Sequence, residues 1–160
     1  MSRSLPLSEE AALVVALAAT ALPFAPDRRG EVERWLRLLG DHGRSARLLA
    51  EQGLTATSTA PPTRSGGPGA PPSSAAATQT VEVVCALAQR HAVQRAGRVV
   101  TTADLLAGVA DHYGPAFDAV LDAATLTRAQ FMGRLYAALW DGDEEAQRPA
   151  EGTGEPPRHR

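Results

Sequence analysis

The chain has 160 residues, a formal net charge of -2 and only 4% aromatic residues, enough for one domain or two small ones. All 16 basic residues are arginine, scattered among 18 acids, so no basic surface for nucleic acid or anionic membrane is expected. The single Cys85 cannot form an internal disulfide, the apolar run from Ala11 to Leu22 is too short to span a bilayer, and no signal-peptide pattern opens the chain. A soluble cytoplasmic protein is the expectation.

The apolar content rests on Ala, Leu and Val without period-two runs, which predicts an all-α fold. Ser8, followed by Glu9 and Glu10, opens a helix over Ala11 to Leu22 that is apolar nearly all round and is expected either to lie centrally in a bundle or to be covered by a partner; Pro23 and Pro26 stop it. From Glu31 to Leu39 a second helix carries the stripe Val32, Trp35, Leu36 and Leu39, and Gly40 is expected to end it. A third runs from Arg44 to Gln52, with Gly53 as its stop. Residues 56–78, rich in Pro, Gly, Ser and Thr, read as a disordered linker.

Beyond it, Val81 to Ala96 predicts a long helix with Val84, Leu87, Ala88, Ala92 and Ala96 inward and Gly97 at its end. Thr102 is expected to cap a helix from Ala103 to Ala110, and Pro115 suits the first turn of a helix through Ala123. Thr127 caps a last helix to Trp140. Phe131, Leu135 and Leu139 form one stripe of that helix, and Met132, Tyr136 and Trp140 a second beside it. Residues 141–160 read as a disordered tail.

The two halves echo each other. Leu38-Leu39-Gly40-Asp41-His42-Gly43, then Leu48-Leu49 and Leu54-Thr55, recur as Gly108-Val109-Ala110-Asp111-His112-Tyr113-Gly114, Val120-Leu121 and Leu126-Thr127, about 70 to 72 positions on. The expected organisation is a first unit of three helices over 7–55 and a second of four over 79–140.

The segment from Thr101 to Val109, the glycine-containing loop after it, and the helices at Val120-Leu121 and Thr127 to Leu139 resemble the Clp repeat found in tandem in the N-terminal domain of Clp unfoldases. Gly30 to Leu39 and Arg44 to Leu54 are similar to the same pattern in a first copy that lacks its fourth helix. The resemblance implies a tandem helical bundle that binds protein or peptide, possible partners including a Clp unfoldase or protease component. No phosphate-binding loop and no Lys is present, so an ATPase activity does not carry over. Nor does binding of phosphorylated arginine, which in relatives uses an acidic residue where this chain has Val32 and Ala103.

No catalytic constellation stands out. Asp41-His42 and Asp111-His112 are read as solvated loop residues rather than metal ligands or acid–base pairs, and Cys85 and His91 fall on different helix faces. No cofactor and no metal are expected. The absent fourth helix of the first unit predicts an apolar groove near Trp35, Leu38 and Leu48, and the second stripe of the last helix offers Met132, Tyr136 and Trp140 as binding residues. The expected function is a non-catalytic binding module: an adaptor, modulator or decoy for a Clp protease system. The alternative is a small-molecule-binding or tailoring enzyme on the same scaffold. Composition leaves the oligomeric state open.

Overall fold

The helix-forming residues and their stops produce an all-helical body. The computed structural model describes residues 4–54 and 74–147, with side chains through Asp141. Among these residues there are seven α-helices: α1 (Glu9–Ala21), α2 (Arg28–Asp41), α3 (Gly43–Glu51), α4 (Ser74–Gln94), α5 (Thr102–Tyr113), α6 (Pro115–Asp122) and α7 (Arg128–Gln147). A 3-10 turn, Leu22–Phe24, extends α1. The one extended pairing joins Leu7 to Val100, with Ser8 N–H donating to the Val100 carbonyl at 2.8 Å.

Local chemistry accounts for most boundaries. Ser8 Oγ accepts from Ala11 N–H at 3.1 Å and the Asp27 carboxylate accepts from Gly30 N–H at 2.7 Å, each capping donors that the first turn leaves unpaired. Thr127 and Gln130 form a reciprocal cap at the start of α7. The caps differ from expectation at α5. Thr101, not Thr102, is its N-cap, bonded reciprocally with Asp104; the Thr102 hydroxyl instead accepts from Ser45 N–H at 3.1 Å, so one threonine pair serves the starts of α5 and α3.

Several expected boundaries move. Helix α2 continues through Gly40 to Asp41, and the turn falls where Gly43 takes a φ of 62°. Helix α4 begins at Ser74 rather than at the end of the expected linker, because the Ala75-Ala76-Ala77 run is strongly helix-forming and Ala77 is buried. At its other end Ala96, expected inward, is exposed with φ 57°. Residues 141–147, read as tail, continue α7, in keeping with the helix propensity of Glu, Ala and Gln. The remainder of the linker and tail expectations, 56–73 and 148–160, lie outside the described residues.

Helix α1 is not the central one. It buries only Ala11, Val14 and Ala18, whereas α5 is buried at every position from Thr102 to Ala110. Gly108 explains how α5 fits so deeply: a Cβ there would stand 2.8 Å from the Val84 carbonyl oxygen and 3.1 Å from Ala88 N. The backbones of α4 and α5 therefore meet where only hydrogen fits.

The two halves form one core. Helix α2 packs on α6 and α3 packs on α5, while α1 meets α4 and α2 meets α5. Buried positions recur at a fixed spacing across this core. Ala11, Val14, Ala18 and Leu22 are matched 70 positions on by Val81, Val84, Ala88 and Ala92, and Val32, Trp35, Leu36 and Leu39 by Thr102, Leu105, Leu106 and Val109. After a two-residue shift, Leu48 and Leu49 are matched by Val120 and Leu121. The same turn follows both: Leu54 N–H donates to the Leu49 carbonyl with Gly53 at φ 74°, and Leu126 N–H donates to the Leu121 carbonyl with Thr125 at φ 56°.

Candidate functional site

The packing decides which expected binding residues are reachable. Trp35 is fully buried between the two halves, and its indole N–H donates to the Tyr113 hydroxyl at 3.2 Å. Leu48 is also in the core, and Leu38 is half-buried against it. The open groove expected at Trp35, Leu38 and Leu48 is thus replaced by packed core, because α5 and α6 of the second half cover α2.

Helix α7 keeps its two stripes. Phe131, Leu135 and Leu139 are buried, with Phe131 set edge-to-face on Phe117 of α6 at a centroid distance of 5.2 Å. On the flank beside them Met132 and Tyr136 are half-buried, while Trp140 is 60% exposed. Residues 132, 136 and 140 are four apart and share one side of the helix.

Tyr136 orients that side. Its hydroxyl lies 2.9 Å from His91 Nδ1 on α4, and His91 Nε2 lies 2.6 Å from Asp111 Oδ2 on α5. The chain Tyr136–His91–Asp111 therefore crosses three helices. In the neutral imidazole, Nε2–H donates to the carboxylate and Nδ1 accepts from the phenol, so both ring nitrogens are occupied. Burial, and then the nearby Asp111 charge, raise the Tyr136 pKa, which keeps the phenol a hydrogen-bond donor rather than a nucleophile. The arrangement aligns α7 on α4 and α5, one turn from Trp140.

Asp111 and His112 lie in the last turn of α5, not in a loop, and their side chains diverge: Asp111 turns to His91, whereas His112 stacks edge-on against Tyr113 at 4.7 Å. His42, its counterpart in the echo, precedes α3 without making a side-chain cap. A polar His91 within the Val84, Ala88 and Ala92 stripe was the available signal.

A second polar cluster surrounds Tyr113. The Arg28 guanidinium sits 5.3 Å from the centre of its ring and donates to the His112 carbonyl at 3.4 Å. Burial and the neighbouring Glu31 carboxylate push the Tyr113 pKa up. Burial, then Arg28, lower that of His112, against a smaller opposing effect of Glu31. Cys85 is half-buried, and burial followed by Glu82 pushes its thiol up, away from thiolate chemistry.

At the α4–α5 junction Arg95 Nε and Nη2 meet the two oxygens of the fully buried Asp104 at 2.9 and 2.7 Å. Asp104 also accepts from Thr101 N–H at 2.8 Å, so this acid is committed to the fold. Val32 and Ala103 are fully buried. Among the described residues no group of three or more His, Cys, Asp or Glu could hold a metal ion, and no helix is long and apolar enough to cross a membrane. Comparison with protein-family models, curated proteins and solved structures gave no match.

Proposed function

We propose that this chain is a non-catalytic binding module, a tandem of two Clp-repeat-like units in which only the second has its fourth helix, and that it takes peptide or protein segments as an adaptor, modulator or decoy of a Clp protease system. The recurrence of the buried positions and of the Leu49–Leu54 turn in Leu121–Leu126 carries the reading, because it extends the sequence echo to packing. The binding residues in this reading are Met132, Tyr136 and Trp140 on the outer flank of α7. A tryptophan held 60% exposed beside a half-buried methionine is apolar surface of the kind that docks partners.

The test uses the two tryptophans, of which Trp35 is buried and Trp140 exposed. Titration with a hydrophobic peptide, and separately with a purified Clp unfoldase, is expected to shift the Trp140 emission to the blue at micromolar concentration. Trp140→Ala is expected to weaken binding about tenfold, roughly 1.4 kcal/mol. An unchanged spectrum with both ligands up to millimolar concentration sinks the reading. The enzymatic alternative draws on Tyr136–His91–Asp111; it requires that His91→Ala abolish a metabolite conversion while the fold persists.

A further inference from the structure

Sixteen consecutive residues, from Ala11 to Pro26, carry no charge, although they form a helix and turn at the surface. One face of α1 is core. The opposite face presents Ala12, Leu13, Ala16, Ala19 and Thr20 to solvent, and the turn after it ends in Phe24. Leu13 is 47% and Phe24 76% exposed.

The ends of this face are charged, and with opposite sign. Glu9 and Glu10 are exposed at the N-terminus of α1 and have no ion-pair partner among the described residues. At the other end the Arg34 guanidinium donates to the carbonyls of Ala21 at 3.0 Å and Phe24 at 2.8 Å, and no carboxylate among the described residues pairs with it. The adjacent Glu33 pairs with Arg29 instead, and Asp27 caps Gly30.

We propose that this face is the seat of a second copy of the chain, with the two α1 helices packed antiparallel about a two-fold axis near Ala16. The pattern is self-complementary only in that direction. With a rise of about 1.5 Å per residue, Phe24 and Ser8–Glu9 lie about 12 Å from Ala16 on opposite sides, so each Glu9–Glu10 pair meets the Phe24–Arg34 end of the other copy. A parallel pairing would set acids against acids. Ala12, Ala16 and Ala19 allow close approach of the axes, Leu13 fills the space over Ala16 and Ala19 of the second copy, and the helix dipoles oppose favourably. A single pair of short helices buries less than about 1,200 Å², the size of a weak contact, so the expected dissociation constant is on the order of 10–100 µM.

Sedimentation equilibrium of the full chain tests this. The weight-average mass is expected to rise with concentration from 16.8 kDa toward twice that value. Ala16→Arg and Leu13→Glu, both at exposed positions and checked for native circular dichroism, are expected to hold the protein monomeric. The double change Glu9→Arg, Glu10→Arg is expected to weaken association about tenfold and to reverse its salt dependence, since salt then screens a repulsion. Trp140→Glu, on the other side of the functional reading, is expected to leave it unchanged. A monomer at every concentration overturns the proposal. Association that survives Ala16→Arg and is lost with Trp140→Glu overturns it as well, and an unchanged constant in the Glu9/Glu10 variant overturns the antiparallel arrangement.

Discussion

Gly108→Ala tests the closest approach in the molecule. In a solvent-facing helix this change stabilises by about 0.5–1 kcal/mol, since alanine loses less backbone entropy on folding. Here the added methyl group would sit 2.8 Å from the Val84 oxygen and 3.1 Å from Ala88 N, pressing on the hydrogen bond between them. Both contacts are backbone, so relief requires α4 and α5 to part by several tenths of an ångström along a fully buried helix. Overpacking of this kind costs about 1–3 kcal/mol, and it outweighs the propensity gain for a net loss of about 1–2 kcal/mol. Gly133 supplies the control: it lies in α7 with nothing within 4 Å of its would-be Cβ, so Gly133→Ala is expected to stabilise by about 0.5–1 kcal/mol. Urea denaturation followed by circular dichroism measures both. A neutral or stabilising Gly108→Ala beside a stabilising Gly133→Ala would refute the close crossing.

Three further outcomes are expected. Asp104→Ala removes the buried carboxylate that Arg95 and Thr101 N–H both engage and strips the α5 cap, and a destabilisation of about 3–5 kcal/mol by urea denaturation is expected; a loss under about 1 kcal/mol would contradict the buried pair. The chain has two tyrosines, both with raised pKa, so absorbance during alkaline titration is expected to place both ionisations above the ordinary value of 10, and a half-amplitude step at the ordinary value would count against one of the two clusters. The folded protein binds the His112 proton less well than the unfolded chain, so this histidine's contribution to stability is lost as pH falls below its ordinary value of 6.5; His112→Gln is expected to flatten the acid limb, and an unchanged limb would refute the assignment.

Local signals made the helices legible. Ser8, Gly53 and Thr127 mark ends through chemistry contained within a few residues, and the stripe Val32, Trp35, Leu36 and Leu39 named a buried face correctly. What covers each face depends on helices far along the chain. The indole of Trp35 finds its acceptor on Tyr113, 78 positions away, and no periodicity of α2 distinguishes that partner from solvent or from a ligand. The same holds for Asp111, whose meaning changed once α5 extended by a turn and brought His91 within 2.6 Å. Ala11 to Leu22, apolar on every side, fits a central helix or one covered by a partner, and only the packing excludes the first, since α1 buries just Ala11, Val14 and Ala18.

The bridging position of the third helices, α3 on both α2 and α5 and α6 on both α2 and α5, bears on how the protein comes apart. Each half is expected to lose part of its core when separated, since α2 is covered by α6 as well as by α3, and α5 by α3 and α2 as well as by α4. Thermal or chemical melting is therefore expected to be one cooperative event in which no stable half-molecule accumulates. Cleavage between residues 54 and 74 would yield two fragments that hold each other folded, and whose reassociation after denaturation becomes bimolecular and slows on dilution.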